Sequence, residues 1–262
     1  MLAQRIASAL VLIPIVLLAI WLGGPWFAGF IALFALRATW EFYELARKSD
    51  HRPTDVAGLA LVIAFMLDAY FPRQGIAVFG MVSVLMALML RQVFRKDLTG
   101  FTANWALTLA GALYVGGLSS HLVALRGLPY GVEWIALTCA VTWVCDSAAY
   151  FFGSRWGRHG FFTHVSPHKT WEGAIAGFIG GIIAALIAGR FVQLLPWQSL
   201  LLGAVMVVGL TLGDLCESLF KREVGVKDSS HLIPGHGGML DRLDSILFAG
   251  VIAYYFAVVF AG

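Results

Sequence analysis

Charge is what this chain has least of. Of its 262 residues only 13% are Asp, Glu, Lys or Arg, while 60% are hydrophobic; an average soluble domain carries about 25% charged and about 45–50% apolar residues. With a mean hydropathy of +0.82, a soluble globular fold is excluded. A separate water-soluble domain is excluded as well, because nine spans of about 20 residues would use about 180 of the positions available. Cysteine is scarce: Cys139, Cys145 and Cys216 lie inside apolar runs with no CxxC pairing, which excludes a disulfide framework and a thiolate metal site. No repeat, low-complexity tract or flexible linker interrupts the chain. The formal charge of +3 is too small to indicate a nucleic-acid partner, and none is expected.

What is present is a succession of apolar stretches, at about 5–22, 26–45, 56–71, 75–94, 103–125, 132–152, 171–193, 198–219 and 243–261. Each is uniformly apolar rather than alternating, and a bilayer tolerates such segments only as helices that satisfy their own backbone. The expected fold is all-α, a polytopic integral membrane protein of about nine transmembrane helices in one membrane domain. Residues 1–130 would supply N-terminal helices, and 131–262 the catalytic helices and loops. The first stretch, behind Arg5, has the look of a signal peptide, but Gly23-Gly24-Pro25 leads straight into another apolar run, so a retained helix is expected.

Alternating the nine stretches across a membrane puts fourteen of the 18 Lys and Arg residues on one side and three, Arg73, Arg126 and Arg190, on the other, with Arg37 inside a stretch. Basic loops stay cytoplasmic. The N-terminus is therefore expected in the cytoplasm, the C-terminus outside, and both long polar segments, 153–170 and 220–242, on the cytoplasmic face of the cell (inner) membrane, where nucleotides are available.

Eight of the 15 acidic residues cluster at those two segments: Asp146, Glu172, Asp214, Glu217, Glu223, Asp228, Asp241 and Asp244. An ionisable side chain at bilayer depth costs about 2.5–3.5 kcal/mol on insertion scales, which makes each a candidate for function. Taken singly, Asp68, Glu41 and Glu44 fit a buried polar contact between helices as well as they fit a functional role. On a helix, Asp214, Glu217, Ser218 and Lys221 share one face through their i, i+3, i+4, i+7 spacing. Asp241, Asp244 and Ser245 repeat that spacing at the start of the last helix, where carboxylates complement the helix dipole. Hard oxygen donors suit magnesium, which takes one or two carboxylates and leaves the remaining positions to phosphate and water. The segment between the two helices supplies Lys221, Arg222, Lys227 and the amides of Gly235, Gly237 and Gly238, a combination suited to polyphosphate oxygens. Together these point to phosphoryl or nucleotidyl transfer; a charged loop neutralising itself at the headgroups is the plainer alternative.

A second constellation comprises Asp146, Tyr150 and Gly153, then Ser166-Pro167-His168-Lys169-Thr170-Trp171-Glu172-Gly173. Lys169 is a phosphate-binding candidate and Thr170 a candidate N-cap. Gly173, Gly177 and Gly181, four apart, are expected to serve helix packing. His159, His164 and His168 lack a cysteine partner and read as solvated or headgroup-facing rather than as a zinc site.

The run Ser218-Leu219-Phe220-Lys221-Arg222, then Lys227-Asp228, then Pro234-x-His236-Gly237-Gly238-x-x-Asp241-Arg242-x-Asp244 resembles the signature of the phosphatidate cytidylyltransferases, also called CDP-diacylglycerol synthases. Asp146 with Ala149-Tyr150, and the run from Ser166 to Gly173, resemble the family too, so the likeness covers the C-terminal half in detail and the N-terminal half in hydropathy alone. The resemblance implies CTP plus phosphatidic acid giving CDP-diacylglycerol and pyrophosphate, on a multi-span helical homodimer that needs Mg2+. The residue reading and the resemblance together assign catalytic roles to Asp214, Lys221, Arg222, Lys227, Asp241 and Asp244, with magnesium expected on Asp214 and Asp241. Substrate contacts would come from Asp146, Ser166, Lys169, Thr170, Glu172, Ser218, Asp228, His236, Gly237, Gly238 and Arg242.

An ion-coupled transporter would also place carboxylates in membrane helices, but usually near the midplane and in paired halves. A CTP-dependent lipid kinase is set aside by the resemblance alone. A CDP-alcohol phosphotransferase would show Asp-Gly-x-x-Ala-Arg, which is not in this sequence.

Overall fold

The computed structural model describes residues 2–230, 232 and 237–260, and for residues 2–9, 11 and 12 the backbone only. Among these residues every regular element is a helix: α1 (Leu2–Leu22), α2 (Gly24–Lys48), α3 (Asp55–Tyr70), α4 (Ile76–Val93), α5 (Phe101–Gly111), α6 (Leu118–Arg126), α7 (Gly131–Trp156), α8 (Trp171–Ala188), α9 (Pro196–Glu223) and α10 (Leu240–Phe260). A π turn, Ala112–Gly117, joins α5 to α6 as one continuous rod.

Six rods are long and apolar enough to cross a membrane: α4, α5 with α6, α7, α8, α9 and α10. The expectation of about nine therefore exceeds what length and composition support among the described residues. The reasons are local. Helix α2 carries Arg37, Glu41, Glu44, Arg47 and Lys48. Helix α3 has 16 residues, short of the ~20 that a hydrocarbon core requires. Along α4, by contrast, Val78, Phe79, Val82, Met86, Met89 and Leu90 are all exposed, as a helix solvated by lipid needs.

The chain forms two compact units, residues 1–124 with 223–242, and residues 125–222 with 243–262. The described residues of the polar segment after α9 thus belong with the N-terminal helices.

In the first unit, the π turn brings glycines against neighbouring helices. A Cβ on Gly111 would lie 2.5 Å from Tyr43, and one on Gly116 2.7 Å from Val62. Tyr43 in turn donates to the carbonyl of Thr108 at 2.7 Å. In the second unit, α7 and α8 meet along the glycine stripe expected from sequence. A Cβ on Gly173 would sit 2.8 Å from the Ala149 carbonyl oxygen and one on Gly177 3.1 Å from that of Cys145. Helix α9 joins them through Gly203, whose Cβ would meet Ala185 at 2.7 Å, and α10 crosses α9 at Gly213, whose Cβ would meet the Asp244 carbonyl oxygen at 2.7 Å. Small residues allow this approach because dispersion contacts, not a hydrophobic drive, hold helices together in lipid.

Candidate active site

The second unit holds a cavity of about 530 Å3, lined among others by Asp146, Tyr150, Phe161, His168, Lys169, Thr170, Thr211 and Asp214. Its position follows from the helix crossings: α7 brings Asp146, α9 brings Asp214, and the turn before α8 brings Lys169. Thr170 caps α8, its Oγ1 accepting from the Gly173 amide at 3.2 Å. The preceding segment is closed by paired backbone bonds, Phe161 N to the Lys169 carbonyl at 2.8 Å and Trp171 N to that of His159 at 2.9 Å. Lys169 is thereby held over Asp214, Nζ to Oδ2 2.7 Å. The other carboxylate oxygen, Oδ1, faces Ser218 Oγ at 3.4 Å.

The polar face expected along α9 is present, with one addition. Lys221 is nearly buried and forms an ion pair with the completely buried Glu217 one turn earlier. Burying either charge alone would be strongly unfavourable. Helix α9 extends through Glu223, so Lys221 lies on the helical face expected for it, and Arg222 also falls on the last turn and not in the segment between the helices. Arg222 Nε donates to the Val165 carbonyl at 3.1 Å, tying α9 to the segment ahead of α8. On α10, Asp244 Oδ1 accepts from the Ser245 amide at 2.6 Å, and its carboxylate lies within electrostatic reach of Asp214, Asp146 and Lys221.

Two residues expected at substrate make contacts within the fold. Glu172 meets His159, Oε1 to Nδ1 2.6 Å, with the His159 amide at 3.3 Å from Oε2. Ser166 joins turn hydrogen bonds through its backbone, its amide to the Phe162 carbonyl at 3.0 Å and its carbonyl to the Lys169 amide at 3.2 Å. Neither lines the cavity.

In the first unit, Asp241 is buried, and its Oδ2 accepts from Ser229 N at 2.9 Å, Ser229 Oγ at 2.9 Å and Gly238 N at 2.7 Å. Lys227, Asp228 and Arg242 are exposed. Gly237 has φ +78°, and a Cβ there would sit 2.7 Å from Asp241 Oδ2, so its glycine is required both by conformation and by space. His236, with Pro234 and Gly235, lies outside the described residues.

Sequence reasoning missed Glu217 as the partner of Lys221, Thr211 as a cavity wall, and Ser229, Ser230 and Glu41 around Asp241. The serines directly follow the Lys227-Asp228 element, a signal that could have flagged them. Glu41 read from sequence as a candidate buried polar contact, but nothing local pointed to these partners.

Among the described residues no three His, Cys, Asp or Glu side chains are arranged to hold a metal ion. The carboxylates contribute hard oxygens singly or in pairs, which fits magnesium's habit of binding one or two carboxylates and completing its shell with phosphate and water.

Membrane-length helices around a cavity bearing both lysine and carboxylate define an all-helical membrane protein with a cleft suited to polyanions. The chain belongs to the cytidylyltransferase family, whose profile it matches over residues 3–260. It is 32% identical over 262 residues to the phosphatidate cytidylyltransferase of Brucella suis biovar 1 (strain 1330), covering 99% of this chain and 94% of that one. To the phosphatidate cytidylyltransferase of Pseudomonas aeruginosa PAO1 it is 35% identical over 256 residues, with 95% and 94% covered. To that of Bacillus subtilis (strain 168) it is 37% identical over 220 residues, 78% of each chain.

Proposed function

We propose that the chain is a phosphatidate cytidylyltransferase, transferring CMP from CTP to phosphatidic acid to give CDP-diacylglycerol and pyrophosphate for phospholipid synthesis. The observation that carries this reading, beside the family, is the Lys169–Asp214 pair inside the cavity of the second unit: a phosphate-binding cation and a hard-oxygen carboxylate held in contact. In the reaction a phosphatidate oxygen attacks the α-phosphorus of CTP as the bond to the bridging oxygen breaks, and pyrophosphate leaves with that oxygen. No strong general base is required, because a phosphate monoester is already ionised near pH 7. Lys169 binds phosphate oxygens from the cavity wall. Lys221, Arg222 and Lys227 offset negative charge on the leaving pyrophosphate and the lipid phosphate. Asp214 and Asp241 are each proposed as ligands of a magnesium ion, which when bound neutralises phosphate charge and orients the reacting groups. Labelled CTP entering lipid with stoichiometric pyrophosphate release tests the assignment. CDP as the nucleotide product would indicate a CTP-dependent lipid kinase, and nucleotide-independent ion flux a transporter.

The reading extends to a homodimer spanning the inner membrane nine times, with the N-terminus and both polar segments in the cytoplasm. Cysteine-accessibility labelling in intact cells is expected to find residues 153–170 and 220–242 cytoplasmic and the C-terminus external. A cytoplasmic C-terminus would require an even number of crossings and end the nine-span topology.

A further expectation separates chemistry from headgroup attraction at Lys227. Surface attraction to anionic lipid is worth about 1 kcal/mol per basic residue and should recover when anionic lipid is added. A transition-state contact lowers kcat and does not recover. Lys227→Gln is therefore expected to lose CTP-dependent product formation in micelles whatever the lipid content. Arg95→Gln, exposed just beyond the end of α4, should show a small defect that anionic lipid repairs. Equal, lipid-repairable defects would remove Lys227 from catalysis.

A further inference from the structure

We infer that Glu41 is a positioning residue for Asp241, holding Ser229, Ser230 and the first turn of α10 in their working arrangement; the inference rests on the reading of Asp241 as a catalytic carboxylate. Glu41 lies on α2 and is completely buried, and a buried carboxylate is tolerated only where donors meet its charge. One comes from its own helix, Arg37 Nη2 at 3.3 Å from Oε1. The rest come from the distant segment: Ser230 Oγ at 2.7 Å from Oε1, and Ser229 Oγ at 2.9 Å and Leu240 N at 2.8 Å from Oε2. Leu240 N belongs to the first turn of α10, whose amides have no acceptor within the helix. Glu41 therefore caps α10 from 199 residues away.

Ser229 Oγ connects the two carboxylates, 2.9 Å from Glu41 Oε2 and 2.9 Å from Asp241 Oδ2. A hydroxyl has one proton, so it donates to one carboxylate at a time, and the position of either is felt by the other. Gly238 closes the arrangement. Its amide donates to Asp241 at 2.7 Å, while a Cβ there would collide with Ser229 Oγ and Glu41 Oε2 and lie 2.8 Å from Ser230 Oγ. Only glycine lets the backbone pass between these groups. Anchoring of this kind, behind a group that binds metal or substrate, typically governs affinity or activity by about 10–100-fold.

The test compares the full chain, purified in detergent, with its Glu41→Gln and Ser229→Ala variants. Hydrogen exchange across 226–242, magnesium dependence of product formation and the KM for CTP are all measured. The clamp predicts that exchange accelerates in 226–242 and not elsewhere, that the magnesium midpoint rises by about 10-fold or more, and that the KM for CTP stays within about twofold because uniform binding is untouched. The two substitutions together should fall short of the product of their separate effects, as for residues in one network. Unchanged exchange in 226–242, acceleration throughout the chain, or local acceleration with an unmoved magnesium midpoint would each overturn the inference. An Asp241→Asn variant run alongside keeps the two claims apart. Full turnover there removes Asp241 from catalysis, whereas an inactive Asp241→Asn beside unaffected Glu41 and Ser229 variants removes only the clamp.

Discussion

Asp214→Asn is expected to lower CTP-dependent product formation by roughly 10²–10³-fold, the range seen when one preorganised electrostatic group is removed from an active site. The carboxylate lines the cavity, meets Lys169 at 2.7 Å and stands at the close α9–α10 crossing set by Gly213. A neutral amide of the same shape keeps the packing but replaces an anionic magnesium ligand with a weak one and leaves the Lys169 ammonium uncompensated. The loss should therefore appear in kcat and not be recovered by saturating magnesium, while extraction and elution stay like those of the unsubstituted protein. Asp241→Asn is expected to fall as far. Asp68→Asn provides the control: its Oδ1 is buried on α3 without a hydrogen-bond partner among the described residues, so neutralising it removes no described contact, and activity should stay within about threefold, as for substitutions outside the recognised mechanisms of loss. Near-normal turnover of Asp214→Asn at saturating magnesium would take Asp214 out of the site.

Lys169→Met is expected to produce the second large effect, a fall in kcat/KM of roughly 10²-fold, as for removal of one preorganised charge stabiliser. The two residues share one ion pair, so the paired substitutions should be far from additive. The Asp214→Asn/Lys169→Met double variant should be little worse than Asp214→Asn alone, because the lysine has lost the carboxylate that orients it. Steady-state kinetics on the four proteins of that cycle decide the matter. Fully multiplicative losses would mean that the 2.7 Å contact is incidental to catalysis.

Much of this site was legible in the chain before any coordinates. Asp214 and Ser218 share an α9 face because helical periodicity requires it, and Thr170 caps α8 because a hydroxyl three residues ahead of a free amide can do little else there. The glycines at 173 and 177 pack α7 on α8 because lipid offers no other way to bring helices together. Less legible were partners settled by competition. Lys221 read as a catalytic cation and Glu172 as a substrate contact from their motifs; the structure adds that Lys221 pairs with Glu217 and that Glu172 meets His159, neighbours that no motif names.

Sequence alone determined that the protein is helical and membrane-embedded, because apolar runs of this length can satisfy their backbone in lipid in no other way. It also determined which family the chain belongs to, because phosphate and metal chemistry demand particular side chains at short spacings. Only the tertiary structure decided what lies across long separations: that the described residues of the segment 223–242 belong with the N-terminal helices, and that Glu41 meets Ser229, Ser230 and Leu240 at separations of 188, 189 and 199 residues. Such contacts leave no trace in local pattern, since helical periodicity says which face of α2 is buried and nothing about which residues arrive to bury it.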